Sequence, residues 1–166
     1  MQVKSPDLIG LLKVFQDSNV DFILIGGIAA TVHGSSRVTQ DVDVVYKRSD
    51  ENYKKIVYAV GPLNPYLRGA PKGLPFLLDE RTLRSGLQFT LDSDLGPIDL
   101  LGEVAGGGNY ENLINHVDEI TLNSKRLLVV NLPKLIELKV AAGRPKDLEA
   151  IAELELIRNK LSDRER

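Results

Sequence analysis

The sequence contains no cysteine, which removes disulfides, zinc–thiolate sites and cysteine nucleophiles from consideration. No apolar stretch in it approaches the length of a membrane span. Met1-Gln2-Val3-Lys4-Ser5-Pro6 is not followed by a long apolar run, so no signal peptide is expected and the cytoplasm is the expected location. An excess of charge of one sign is missing too. Lys and Arg number 21 against 23 Asp and Glu, a formal net charge of −2, so there is no general basic footprint for nucleic acid. A polyanionic partner would have to be met by a local patch or by metal ions. Internal repeats and low-complexity tracts are also absent. What remains is a 166-residue chain, 43% hydrophobic and 27% charged, long enough to bury a core without staples. It is expected to form one domain over 1–166, with an α/β core at 1–130 and a helical extension at 131–166.

Along the chain, Ser5-Pro6-Asp7 reads as a helix start, with Leu8, Leu11, Leu12 and Phe15 at helical spacing to about Asp17. Val20 to Ile25 reads as a strand covered on both faces, ending at Gly26-Gly27. A short helix from Ile28 to His33 is expected to stop at Gly34. The polar loop Ser35 to Gln40 leads into a strand from Asp41 to Tyr46 that alternates acid and apolar residues. Ser49 caps a helix to about Val60, and the glycine- and proline-rich stretch 61–73 reads as a surface loop. Gly86 to Leu91 and Pro97 to Leu101 read as strands, Tyr110 to Asn115 as a short helix, and 117–122 with 126–130 as a hairpin around Asn123-Ser124. Asn131 caps a helix from Leu132 to Ala142 that Gly143 stops, and Pro145 opens a last helix to about Lys160. The pattern is α+β: a mixed sheet flanked by helices, then a C-terminal helical pair.

Alternate strand residues share a face, so Asp41 and Asp43 project together while Val42 and Val44 point into the core. Side-by-side carboxylates repel unless a cation lies between them, and such oxygen-rich pairs suit Mg²⁺ or Mn²⁺. The competing reading is a solvated strand face. Gly26-Gly27 ends one strand and opens a helix, a place where free backbone N–H groups favour phosphate; the competing reading is a tight turn with no ligand. Asp99, between Ile98 and Leu100, is either a third acid of the same site or an edge-strand acid facing water. His33 reads as a structural histidine, and Ser35-Ser36 as a loop feature with no base placed by the sequence to activate it.

The run from Ile25-Gly26-Gly27 through Arg37-Val38-Thr39-Gln40 to Asp41-Val42-Asp43-Val44 resembles the signature of the minimal nucleotidyltransferase superfamily, with its DNA polymerase β-like fold. Its Gly-Gly-x-Ala, His-Gly, Arg-x-Thr and Asp-x-Asp elements are similar to the AbiEii-type branch, known from toxin–antitoxin and phage-defence systems. Leu135-Ile136-Glu137-Leu138-Lys139 and Gly143-Arg144-Pro145-Lys146-Asp147-Leu148 resemble that branch's C-terminal motifs. The likeness covers roughly Phe22 to Val45 and Leu132 to Leu154, and touches the middle only at Asp99. It implies a nucleotidyltransferase fold and an enzyme that moves a nucleoside monophosphate from an NTP to an acceptor hydroxyl. By this resemblance Gly26 and Gly27 contact the triphosphate, and Asp41, Asp43 and Asp99 hold two Mg²⁺ or Mn²⁺ ions as catalytic residues. Lys139 meets phosphate, and Asp147 belongs to a second motif. Lys139 also reads as a solvated helix lysine, and Asp147 as an acid at a helix N-terminus. Arg37 and Thr39 either contact nucleotide or brace their loop. The implied partners are the NTP, a tRNA 3′ end, small molecule or protein as acceptor, and an antitoxin. Less helix follows Asp147 than the branch carries, which implies a smaller acceptor or a homodimer that builds the acceptor site. The reading from another class is a non-catalytic nucleotide-binding or interaction module.

Overall fold

The computed structural model describes residues 4–166; Met1 to Val3, the start of the N-terminal stretch read above, lie outside them. Helix α1 (Leu8–Asp17) is capped by Asp7, whose carboxylate accepts from Gly10 N–H at 2.9 Å. The expected start at Ser5-Pro6 is thus displaced by a residue that can reach the third amide of the helix. Its buried face carries Leu11, Leu12 and Phe15, and Phe15 tilts against Phe22 with ring centroids 5.3 Å apart.

Strand β1 (Phe22–Ile25) is buried at every position, as an apolar run covered on both faces should be. Helix α2 (Gly26–Val32) begins directly at the double glycine, two residues before the expected start. Strand β2 (Val42–Tyr46) follows, then α3 (Asp50–Val60), capped by Ser49 as expected. The 61–73 stretch is less irregular than its composition suggests, because it holds a 3₁₀ turn (Gly61–Leu63) and a two-residue strand β3 (Tyr66–Leu67). Helix α4 (Glu80–Ser85), capped by Asp79, has no counterpart in the sequence reading. Strands β4 (Gln88–Asp92) and β5 (Ile98–Leu101), helix α5 (Tyr110–Leu113) and strands β6 (Val117–Leu122) and β7 (Lys125–Val130) come next. Asn123 and Ser124 join β6 to β7 with φ of 55° and 61°, the left-handed pair that a two-residue hairpin requires. Helix α6 (Leu132–Ala142) has Asn131 as cap and Gly143 as its left-handed stop, and α7 (Asp147–Arg164) ends the chain.

The seven strands form one mixed sheet in the order β3-β4-β5-β2-β1-β7-β6. Antiparallel pairing of β1 with β2 puts the end of β1 beside the start of β2, with Ile25 opposite Asp43. Parallel pairing of β2 with β5 sets Asp43 opposite Asp99. Val42, Val44, Ile98 and Leu100 are fully buried, so the intervening acids face the other way. Strand β5 lies inside the sheet, between β4 and β2, which rules out the edge-strand reading of Asp99. Among the described residues no helix is long and apolar enough to cross a membrane.

Candidate metal and nucleotide site

Three strand ends build one acidic cluster. Asp41 directly precedes β2 instead of lying within it, Asp43 is the second residue of β2, and Asp99 is its partner on β5. Each of the three is half-buried, and one carboxylate oxygen from each lies within 4.8 Å of the other two. Burial, then the adjoining Asp99 and Asp41 carboxylates, pushes Asp43 up to about 8, with Arg68 pulling against them. Arg68 follows β3, and its guanidinium donates to Leu91 C=O at 2.8 Å and to Asp92 at 3.3 Å. One guanidinium nitrogen lies 3.0 Å from Oδ1 of Asp99, yet that oxygen is buried and accepts no well-directed hydrogen bond. The contact supplies charge without alignment. Converging hard oxygen donors, an under-satisfied buried carboxylate oxygen and an acid held protonated by its neighbours fit a divalent cation such as Mg²⁺ or Mn²⁺.

Arg68→Ala is expected to destabilise the metal-free chain at neutral pH by about 1–2 kcal/mol, since it strips the nearest positive charge from a partly buried carboxylate. Chemical denaturation checks this, and an unchanged midpoint would show that solvent already screens Asp99.

The glycine turn is packed against this cluster. Gly26 has φ of +71°, and a Cβ there would lie 2.2 Å from Oδ2 of Asp43. A Cβ at Gly27 would lie 2.6 Å from the Thr39 hydroxyl. The space left by the two missing side chains is therefore filled by Asp43 and Thr39, so the glycines serve the protein's own packing as well as any approach of a ligand.

The opposite wall comes from α6, α7 and the link between them. Asp147, 4% exposed, receives Arg144 at 2.7 and 3.2 Å, and Lys139 Nζ lies 3.9 Å away. Burial pushes the Asp147 carboxyl up, but Arg144 and Lys139 outweigh it and hold the group below its usual range. Burial pulls Lys139 down, opposed by Asp147 and Asp43. Asp147 thus acts as the tie between the two helices, and Lys139, half-buried on the cleft wall, is not a freely solvated lysine. Arg37 pairs with the exposed Glu149 at 2.9 Å, so the loop-bracing alternative describes its contacts here.

Between these walls lies a cleft of about 650 Å³, and every residue assigned to the site from the sequence lines it. His33 stays outside, its Nε2 2.7 Å from Val130 C=O, in the structural role expected for it. Arg68, Arg144 and Glu153 line the cleft without having been singled out. Glu153 receives Ser35 and Ser36, a pairing across more than a hundred residues that no local pattern could signal.

No protein-family model matches the chain, and no curated protein matches it significantly. Two solved structures are similar over nearly their whole length. One is the lincosamide antibiotic adenylyltransferase LnuA in its lincomycin-bound form, with a TM-score of 0.60 and 14% identity over 95% of this chain and 99% of that one. The other is the antibiotic-resistance factor ANT(2'')-Ia, with a TM-score of 0.52 and 13% identity over 94% of this chain and 91% of that one. The seven-stranded mixed sheet with its flanking helices is the nucleotidyltransferase fold.

Proposed function

We propose that the chain is a divalent-metal-dependent nucleotidyltransferase that moves a nucleoside monophosphate from an NTP to a hydroxyl of a small-molecule acceptor. The observation that carries this reading is the convergence of Asp41, Asp43 and Asp99 in one cleft, with Lys139 and Arg144 on the facing wall. A cleft of about 650 Å³ is within the range that small-ligand sites occupy.

Asp41, Asp43 and Asp99 would hold the metal, and Lys139 would meet phosphate. Bound Mg²⁺ or Mn²⁺, as a pair of ions, supplies stabilisation of the attacking and leaving oxygens. The acceptor hydroxyl oxygen forms a bond to the α-phosphorus as the bond to the β-phosphate's bridging oxygen breaks. Pyrophosphate leaves, and Asp99 is placed to take the hydroxyl proton. The Gly26-Gly27 turn, held against Asp43 and Thr39, orients the triphosphate by its backbone amides.

The small-molecule acceptor is favoured by the likeness to two enzymes of antibiotic resistance, one of them described with lincomycin bound. A second reading is the AbiEii-type toxin, with a tRNA 3′ end as acceptor and an antitoxin as partner. It is favoured by the placement of Lys139 and Asp147, the C-terminal motif residues, on the same cleft as the Asp-x-Asp pair.

The test incubates the chain with Mg²⁺ and each NTP labelled at its α-phosphate. One arm offers lincosamides and aminoglycosides, the other total tRNA. The expected result is label on a small molecule, lost when Asp41 and Asp43 are both replaced by alanine. Label on tRNA would replace the first reading with the second. NTP binding that survives the double replacement, without transfer, would leave only a non-catalytic binding module.

A further inference from the structure

Residues 36–41 join α2 to β2 and carry both Thr39, set over Gly27, and Asp41 of the acidic cluster. No backbone–backbone hydrogen bond involves these residues among the described ones, and Val38 at their centre is 85% exposed. The segment is held from the side, by α7. Glu153 accepts from the hydroxyls of Ser35 and Ser36 and from the Ser36 amide. Ser35 is 8% exposed, and its hydroxyl oxygen in turn accepts the Arg37 amide at 3.2 Å. Glu149, one turn earlier on the same helix, takes the Arg37 guanidinium. Charge-assisted hydrogen bonds are the stronger kind, and here they stand in for the ladder the loop lacks.

A carboxylate lining a cleft built for a triphosphate is electrostatically unfavourable for that ligand, so its presence calls for a compensating role. The geometry points to Glu153 as a positioning residue of the nucleotide site: it fixes the loop so that Thr39 closes on the Gly27 turn and Asp41 enters the acidic cluster. This rests on the nucleotidyltransferase reading, because it names what holds that site in shape.

The test is calorimetric titration of the full chain with ATP and Mg²⁺. The variants are Glu153→Ala, Glu153→Gln, Ser35→Ala with Ser36→Ala, and the combination of Glu153→Ala with both serine changes. Glu155→Ala, on the exposed side of α7, is the control. Glu153→Ala and the serine pair are each expected to weaken ATP binding about tenfold, the worth of one or two charge-assisted hydrogen bonds. Their combination should be no weaker than either alone, as for groups acting through one contact. Glu153→Gln keeps an accepting oxygen and should recover part of the loss. Simple unfolding would lower the stoichiometry and leave the dissociation constant of the folded fraction unchanged. Tighter binding by Glu153→Ala would show a carboxylate that only repels phosphate, and would overturn the proposal. Effects that sum, or binding equal to wild type, would overturn it as well. If the wild type binds no ATP, or if Asp43→Ala binds it as well as wild type does, the nucleotide-site reading fails and takes this proposal with it.

Discussion

Replacing Asp43 with asparagine is expected to abolish nucleotidyl transfer while stabilising the metal-free protein at pH 8. Asp43 stands between Asp41 and Asp99, and its removal takes a ligand from the centre of the cluster. The rate should fall on the order of a thousandfold, as when a preorganised charge-stabilising group is lost. The stability effect has the opposite sign because the folded chain holds Asp43 near pKa 8, chiefly by burial and then by Asp99 and Asp41, against an ordinary value of 3.8. A carboxyl whose folded pKa is raised contributes stability that is complete below its unfolded value and is lost as pH climbs through its folded one. The metal-free wild type should therefore lose on the order of a few kcal/mol between roughly pH 4 and pH 8. Asparagine does not titrate, so its variant should hold level across that window. Mg²⁺ at pH 8 should restore the wild type and leave Asp43→Asn unmoved. Thermal melts across pH, with and without Mg²⁺, read all of this. Parallel curves for the two proteins would discard the burial account of Asp43, and a variant that still transfers would remove it from the catalytic set.

Gly26→Ala is expected to be the most damaging change outside the acids. At φ of +71° any L side chain is strained, and the new Cβ would lie 2.2 Å from Oδ2 of Asp43 and 2.9 Å from its Cβ. The carboxylate tip could rotate aside, but the Asp43 Cβ is fixed by the pairing of β2 with both β1 and β5. The turn or the strand must give way. Left-handed backbone costs about 1–2 kcal/mol and overpacking about 1–3 kcal/mol more, so a loss of roughly 2–5 kcal/mol is expected together with loss of metal binding. Gly73→Ala separates the two contributions, because Gly73 has φ of +94° with nothing within 4 Å of the added atom. Denaturant midpoints for the pair check this. Equal losses would mean that the contact with Asp43 is relieved at no cost and that Gly26 is needed only for its backbone.

The acids and the glycine turn were legible in the sequence because each is written in local periodicity. Asp41 and Asp43 stand out by alternating with valines, Asp99 by its isolation between Ile98 and Leu100, and Gly26-Gly27 by ending an apolar run. Helix α6 was legible to the residue, since Asn131 and Gly143 mark both its ends. The place of β5 within the sheet was not, because strand order depends on long-range pairing that leaves no trace in spacing. Arg68 was hidden for the same reason: it sits in a glycine- and proline-rich stretch, and only the β3–β4 pairing brings it to Asp99. Helix α4 is only six residues long, too short for helical periodicity to show. The start of α2 was misplaced because glycine disfavours helix interiors, and here the close approach of Asp43 and Thr39 overrides that propensity.

The two margins of the sheet differ in build but act alike. On one side β3 offers only two residues. On the other, β6 is a full six-residue strand, but Asp118 and Glu119 are exposed on it. A short margin and a charged margin are both poor templates for an incoming strand. The chain is therefore guarded against growing into edge-to-edge fibrils. A protein that binds it will meet helix faces or the rim of the cleft before it finds backbone to pair with.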